Sequence, residues 1–195
     1  MLARFAQLAP VALTLSLFPG AAQAGEPFVP SWIKNDPAAK SAAVEIIADW
    51  NVVARYAKEN VRTDIMDFNG YWGGNLTLAV PTGWSVRIEF INHSSMIKHS
   101  LMVTRTYTQL EMPIKLREED AIWGAYVDPG GIWPQHDAQL NFVAKQSGSY
   151  FLACPRENHL RDGQWIGFEV RDGLEQAMAI VHEDKFPPED PPGRL

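Results

Sequence analysis

Residues 75–91, NLTLAVPTGWSVRIEFI, decide the fold of this chain. Apolar side chains stand at every second position on both sides of a Pro-Thr-Gly turn: Leu76, Leu78 and Val80 before it, and Trp84, Val86, Ile88 and Phe90 after it. Alternation of this kind indicates a β-strand with one buried face. Pro and Gly between two such runs predict a turn. The segment therefore predicts two successive strands of a sheet.

The same pattern continues along the chain, with further strands predicted at residues 100–106, 139–144, 149–153 and 165–170. One long connection, residues 107–137, interrupts the series, and a connection of this length is predicted to contain a short helix. Short strands separated by turn residues are typical of sandwiches and barrels. The sequence thus predicts an all-β fold, a Greek-key β-sandwich or barrel.

Residues 41–60 fit two structures. Ala43, Ile46, Trp50, Val53 and Ala57 would share one face of a helix. Alternation over Val44, Ile46 and Ala48 favours a first strand instead. Periodicity alone leaves both alternatives open.

The chain begins with a predicted signal peptide, residues 1–24. Arg4 gives a positive start, an apolar stretch follows, and Ala22-Gln23-Ala24 has the small residues of a cleavage site. A retained membrane anchor is the alternative interpretation. The remaining chain divides into an N-terminal extension with a possible first strand or helix (25–64), a β domain (65–182) and a Pro-rich tail (183–195).

Charge and cysteine content limit the function. The net charge of −6 argues against nucleic-acid binding, because a phosphate-binding surface needs clustered Lys and Arg. The signal peptide predicts a periplasmic or otherwise exported protein. Oxidising compartments favour paired cysteines, yet this chain has only Cys154. A lone exported thiol is expected to be buried, bound to a metal or open to oxidation.

Cys154 lies in residues 150–165, YFLACPRENHLRDGQW. It ends a predicted strand, and His159 and Gln164 follow in the loop before the next one. Thiolate and imidazole together suit copper or zinc, and a His₂Cys copper site needs a second histidine and a weak axial group. His99, at the start of another predicted strand, is well placed to be that histidine. These four residues form the predicted metal site.

Two other interpretations of Cys154 remain open from the residues alone. A lone cysteine is often a small buried hydrophobe. A catalytic thiolate needs a nearby activating base or helix N-terminus, and neither a helix start nor a hydrolase motif is evident around Cys154. We therefore predict that the protein is not an enzyme.

With these motifs, the chain resembles the cupredoxins, the type 1 (blue) copper proteins. The pattern Cys-x4-His-x4-Gln, with Gln in the last place, is similar to the stellacyanin branch. A longer similarity to sulfocyanin-like proteins covers roughly residues 65–171, in segments that read FNG (68–70), GNLT (74–77), VPTGW (80–84), HSL (99–101), GSY (148–150) and GQW (163–165). The chain departs from that pattern at Lys98 (usually Pro), Ser100 (usually Asn) and Glu157-Asn158 (usually Pro-Gly).

The resemblance implies a cupredoxin domain over residues 65–182 with one type 1 copper ion. It implies Cys154 as thiolate ligand, His99 and His159 as equatorial ligands, and Gln164 as the axial ligand. The implied function is outer-sphere transfer of single electrons between respiratory-chain partners, with a cytochrome c or a terminal oxidase as the redox partner. A docking patch of Pro155, Leu160 and Ile97 around His159 is expected, and a membrane is a partner only if the N-terminal segment is retained.

Two other functions fit the same residues. One is copper handling or a structural accessory role beside a respiratory oxidase. The other is a closed, non-redox site that holds a metal such as zinc.

Overall fold

The computed structural model describes residues 25–50 and 66–182, and within these ranges the regular structure is β apart from a 3-10 helix at Glu118–Asp120. The all-β prediction is confirmed. The strands are β1 (Ile33–Asp36), β2 (Ser41–Trp50), β3 (Met66–Phe68), β4 (Leu76–Pro81), β5 (Ser85–Asn92), β6 (Met102–Arg105), β7 (Ala121–Tyr126), β8 (Asp137–Val143), β9 (Gly148–Ala153), β10 (Trp165–Arg171) and β11 (Met178–Val181).

The strands form two sheets. The first has the order β1-β2-β5-β8, with β3 added on β2, and the second has the order β11-β4-β10-β9-β6-β7. Two pairs, β2 with β5 and β4 with β10, are parallel, and the other named pairs are antiparallel. Each sheet is therefore mixed, with long-range pairings at its centre.

In β5, the apolar residues of the alternating sequence pattern are the residues that are buried. Val86, Ile88 and Phe90 are buried, while Ser85, Arg87 and Glu89 between them are exposed. The inward residues meet the apolar faces of β4, β9 and β10 from the second sheet in one hydrophobic core. The register of β5 places a fourth inward side chain at Asn92, which is also buried.

The ambiguous segment is a strand over residues 41–50, and residues 51–60 lie outside the described part. β2 pairs with β5 from Ser41–Ser85 to Ala48–Asn92. Ile47 and Asp49 are buried as well as Ile46 and Ala48, so the second half of β2 loses the alternation that would mark a strand. In this half Ala48 pairs with Phe68 of β3. The predicted boundary between the N-terminal extension and the β domain, at residues 64 and 65, stays a prediction. β2 lies before this boundary and is a member of the first sheet.

The long connection between β6 and β8 holds more structure than predicted. The predicted short helix is a 3-10 turn of three residues, and the connection also contains the unpredicted strand β7. Trp123 and Gly124 in β7 have φ angles of 58° and 67°, a left-handed kink that breaks the alternation. Before that turn the connection packs on the second sheet, in a smaller cluster of Met102, Tyr107, Met112, Leu116, Phe151, Ala153 and Leu160.

The predicted signal peptide and the Pro-rich tail, residues 183–195, lie outside the described residues and stay predictions. Across residues 25–50 and 66–182, no helix has the length and apolar character needed to cross a membrane.

Candidate metal centre

Three segments meet at one end of the sandwich. His99 lies between β5 and β6, in an isolated bridge with Ile132 of the β7–β8 loop. Cys154 directly follows β9, and the loop of residues 154–164 returns the chain to β10. Since β9 and β10 are neighbours in the second sheet, the start and the end of this loop are held side by side.

The structure brings all four predicted residues together. Ligand atoms of His99, Cys154 and His159 lie within 4.8 Å of one another. The Oε1 atom of Gln164 lies 2.9 Å from Nδ1 of His99 and 2.9 Å from Nδ1 of His159. The Sγ atom of Cys154 is 3.2 Å from Nδ1 of His159. Two nitrogens, one sulfur and one amide oxygen thus converge in the interior.

The amide of Gln164 is oriented by the first sheet. Its Nε2 atom donates to the backbone oxygen of Asp67 at 3.3 Å, which turns Oε1 toward the two imidazoles. An amide oxygen can only accept hydrogen bonds. Each imidazole that bonds to it must therefore carry its proton on Nδ1, the atom directed at the cluster.

Backbone hydrogen bonds close the loop of residues 154–164. Cys154 N–H donates to Gln164 C=O at 3.0 Å, and Gln164 N–H donates to His159 C=O at 2.9 Å. Asn158 adopts φ of 65°, and asparagine is one of the few non-glycine residues that accept a left-handed conformation. This explains how Asn158 can stand where the resembling pattern usually has Gly.

Burial sets the protonation of the cluster. Cys154 is fully buried, which raises the pKa of its thiol to about 12 although backbone N–H groups of Arg156 and Ser100 donate to the sulfur. Burial lowers the pKa of His99 to about 4, with the neighbouring His159 contributing, and burial also lowers the pKa of His159. At neutral pH the metal-free cluster holds a neutral thiol and two neutral imidazoles.

Behind Gln164 lies a buried carboxyl group. Asp67 is inaccessible to solvent, and burial raises its pKa well above the usual value, assisted by the nearby Asp49 and opposed by the N–H of Gly70. Asp49 lies 2.9 Å from Nδ1 of His93, on the solvent side of the same corner. Within the described residues, Asp67 Oδ2 and His99 Nε2 are buried without a hydrogen-bond partner.

The donor set fits a copper or zinc ion. Thiolate and imidazole are the ligands that both metals prefer. Magnesium and calcium favour several oxygen ligands, and the convergent atoms include no carboxylate oxygen. The same burial opposes the nucleophile interpretation of Cys154, because a thiol with a pKa near 12 and no solvent contact is a poor nucleophile at neutral pH.

The expected docking patch around His159 is wrong in two of its three residues. Pro155 is buried and Leu160 is 1% exposed, whereas Ile97 is half-buried. The connection between β6 and β7 covers them: Leu116 N–H donates to Pro155 C=O, and Asn158 N–H donates to Ile114 C=O. The exposed large apolar side chains of the connection are Leu110 and Ile114.

Sequence reasoning did not find the groups that support the four convergent atoms. Ser100 N–H donates to Cys154 Sγ at 3.4 Å, and its hydroxyl donates to Val127 C=O at 3.1 Å. The position of Ser100 directly after His99 is the sequence feature that could have indicated this supporting role. The place of Asp67 gave no such signal, because its contact with Gln164 joins residues 97 positions apart.

Comparison with known proteins gives matches of two kinds. A family model described as the sulfocyanin (SoxE) domain matches residues 49–181. The chain is 25% identical over 121 residues to the sulfocyanin of Sulfolobus acidocaldarius, covering 59% of this chain and 60% of that protein. This chain therefore matches less than two thirds of the length of that relative.

Among solved structures, rusticyanin from Thiobacillus ferrooxidans aligns with a TM-score of 0.42 and 16% identity, covering 72% of this chain and 86% of that one. Auracyanin B aligns with a TM-score of 0.47 and 15% identity, covering 77% of this chain and 99% of that one.

Proposed function

The chain belongs to the sulfocyanin family of cupredoxin domains, and from this premise we propose that it carries single electrons through one copper ion. Cupredoxins of this kind bind one type 1 copper ion, and the cluster of His99, Cys154 and His159 suits that ion. The convergence of these buried donors is the observation that carries the proposal.

In this proposal the Sγ atom of Cys154 and the Nδ1 atoms of His99 and His159 hold the metal. Copper bound there would supply one-electron chemistry by changing between Cu(I) and Cu(II). The protein supplies donors fixed by two sheets and by the backbone hydrogen bonds of the 154–164 loop. Side chains already held in place lower the reorganisation that accompanies transfer. Burial of His99 and Cys154 also excludes water from the centre.

The decisive test of this function is the visible spectrum of the copper-loaded protein. We expect intense thiolate-to-Cu(II) absorption that disappears on reduction and returns on oxidation. The Cys154→Ser variant, loaded in the same way, should lack this band because the thiolate is absent. A colourless wild-type protein with bound copper would overturn the proposal and would favour a closed, non-redox site such as zinc.

Gln164 is proposed as the axial ligand through Oε1. The bond from Gln164 Nε2 to Asp67 C=O supports this assignment, because it presents oxygen rather than nitrogen to the cluster. An amide oxygen is a harder donor than a thioether and favours Cu(II) over Cu(I).

The Gln164→Met variant should therefore have a higher midpoint potential than the wild type. A rise of about 59 mV would mean a tenfold change in the relative affinity for the two oxidation states. Voltammetry on both proteins measures it, with Gln164→Leu as the control that offers no donor atom. A Met variant with an unchanged or lower potential would remove Gln164 from the ligand set.

The redox partner is proposed to be a cytochrome c or a terminal oxidase outside the cytoplasm, with export directed by residues 1–24. His159 keeps 7% exposure whereas His99 has none, which supports His159 as the nearer ligand to a docked partner. Asn158, directly before it, bonds to Ile114, which is 49% exposed. Ile114→Ser should slow reduction by the partner, while the spectrum stays unchanged.

The alternative role in copper handling predicts a different behaviour. A copper carrier must release its ion to an acceptor, whereas Cys154, His99 and Gln164 have no solvent-accessible surface here. Mixing the loaded protein with a chelator at physiological concentration separates the two functions. Slow release is expected for an electron carrier, and rapid transfer would favour copper handling.

A further inference from the structure

The inward face of β5 ends on a polar side chain. Val86, Ile88 and Phe90 fill the apolar core, and Asn92 takes the next inward position with no exposed surface. A buried amide is costly unless its donors and acceptors are all satisfied. The partners of Asn92 therefore show why an amide occupies this position.

The side chain of Asn92 joins two loops. Its Nδ2 group donates to Ile97 C=O at 2.9 Å and to Ile132 C=O at 3.0 Å. Its Oδ1 atom accepts from the N–H of Ser94 at 3.2 Å and lies 2.8 Å from the Ser94 hydroxyl. Both amide hydrogens and the amide oxygen are thus used.

The backbone of Asn92 holds the second of these loops as well. Its N–H donates to His136 C=O at 2.9 Å, and its C=O accepts from Gln135 N–H at 2.7 Å. Gln135 in turn donates through Nε2 to the backbone oxygens of His93 and Ser94. The loops of residues 93–98 and 127–136 are therefore fastened to one residue at the end of β5.

His99 lies where these two loops meet. Ile97 is two residues before it, and Ile132 N–H donates to His99 C=O at 2.9 Å. The two hydrogens of the Asn92 amide thus end on the segment that leads into His99 and on the residue that is bridged to it.

We propose that Asn92 is the positioning residue for His99, fixing both the segment that leads into this histidine and the residue bridged to it so that its Nδ1 atom faces Cys154 and Gln164 before any metal binds. The inference rests on the proposed function for the role of His99 as a ligand. It assigns to Asn92 a function in the metal centre, although none of the side-chain hydrogen bonds described for Asn92 reaches the side chain of a proposed donor.

A matched control exists at the other end of the first sheet. Asn35 in β1 also uses both ends of its amide, here to bond one residue of a distant segment: its Nδ2 donates to Ala177 C=O at 3.0 Å, and its Oδ1 accepts from Ala177 N–H at 2.8 Å. Changing either asparagine to aspartate keeps the acceptor oxygen and removes the donor. Comparing Asn92→Asp with Asn35→Asp therefore separates positioning of His99 from general stabilisation.

The first measurement uses the metal-free full chain. Amide hydrogen exchange of Ile132, whose N–H bonds to His99 C=O, should be at least about tenfold faster in Asn92→Asp than in the wild type. Asn35→Asp should leave the exchange of Ile132 unchanged. Ser94→Ala keeps both Asn92 donors but removes a hydroxyl that lies 2.8 Å from the Asn92 oxygen and 2.6 Å from Ile97 C=O. It should give a smaller increase and serves as the second variant if Asn92→Asp does not fold.

The second measurement uses copper-loaded protein. Loss of groups that orient a metal ligand typically lowers metal affinity 10–100-fold, and we expect a loss in that range for Asn92→Asp with a changed Cu(II) spectrum. Asn35→Asp should retain both properties. The proposal would be overturned if the amide of Ile132 exchanged at the same rate in the two aspartate variants. If Asn92→Asp does not fold, the same exchange rate in Ser94→Ala and in the wild type would overturn it. Absent thiolate–Cu(II) absorption in the wild type would instead contradict the proposed function, and the metal-free exchange would still decide the role of Asn92.

Discussion

The two ends of the sandwich are built in different ways. At the far end, short turns at residues 37–40, 82–84 and 144–147 join consecutive strands, and the last two lead from one sheet to the other. At the site end, where β5 and β9 finish and β10 begins, most of the buried polar residues collect: Asp49, Asp67, Asn69, Asn75, Asn92, Ser94, His99, Ser100, His159 and Gln164. One end of the sandwich is thus closed by short turns, and the other end is rich in buried, hydrogen-bonded polar residues.

This difference shows how the chain separates stability from function. Buried polar groups contribute little net stability even when paired, and they destabilise the fold strongly when a partner is missing. The apolar core between the sheets can support such a network because it is continuous from Val86 to Phe90. Substitutions at the two ends should therefore have different consequences, and the following predictions test that.

The largest expected difference comes from two glycines with the same backbone conformation. Gly83 at the far end has φ of 80° and open space where a Cβ would lie, whereas Gly74 at the site end has φ of 78° and a Trp165 ring carbon 2.4 Å from that position. Gly83→Ala should cost about 1–2 kcal/mol from backbone strain alone. Gly74→Ala should cost a further 1–3 kcal/mol or so, because Trp165 must move.

Urea unfolding of the metal-free variants measures both losses. Trp165 directly follows Gln164, so Gly74→Ala should also alter the Cu(II) spectrum, which Gly83→Ala should leave intact. Equal losses of stability for the two variants would show that the site end has room to relax.

The second prediction concerns protons at the site end. Because burial raises the pKa of the Cys154 thiol to about 12, metal binding at neutral pH must displace its proton. The pKa values of His99 and His159 are lowered, so both rings are already neutral above pH 6.5. Apparent copper affinity should therefore rise about tenfold per pH unit between pH 7 and 9.

Competition with a chelator of known pH dependence measures this slope. Cys154→Ser should bind more weakly and lose the proton-dependent part of the slope. An affinity independent of pH in the wild type would mean that the metal-free protein already holds a thiolate.

The smallest expected effect is that of Asp67→Asn on the metal-free protein. The pKa of Asp67 is raised in the folded state, so the native protein binds more protons than the unfolded chain above pH 3.8. Its contribution to stability therefore falls as the pH rises through that window. Asparagine does not titrate, so the stability of the variant relative to the wild type should rise as the pH is raised above 3.8.

Thermal or urea unfolding across this pH range gives the two stability curves. Curves that stay parallel would show that the ionisation of Asp67 does not oppose folding.

The parts of the fold that sequence could predict are the strands in which large apolar residues alternate with polar or small ones. β5 alternates along its whole length and was predictable, as were the main strands β4, β8, β9 and β10. β3 has only three residues, too few to show a pattern, and β7 contains the left-handed pair Trp123-Gly124, which interrupts its alternation. β2 became distinguishable from a helix only through its pairing with β5 and β3.

One part of the metal centre could likewise be predicted from the sequence, and another part could not. Cys154, His159 and Gln164 are close in sequence, and their spacing pointed to a shared site. The bond between Asn92 and Ile132 joins residues 40 positions apart and exists only because β5 and β8 pair in one register. The sequence does contain a trace of it, since Asn92 is the inward position that follows Val86, Ile88 and Phe90.

The closed loop of residues 154–164 has a consequence for how copper and folding are coupled. Three of the proposed donors lie in this one segment, so an unfolded chain can still gather Cys154, His159 and Gln164 around an ion. A ligand stabilises a fold only by the ratio of its affinities for the folded and unfolded chains. Copper binding is therefore expected to stabilise the folded state mainly through His99, the one proposed donor that lies outside residues 154–164.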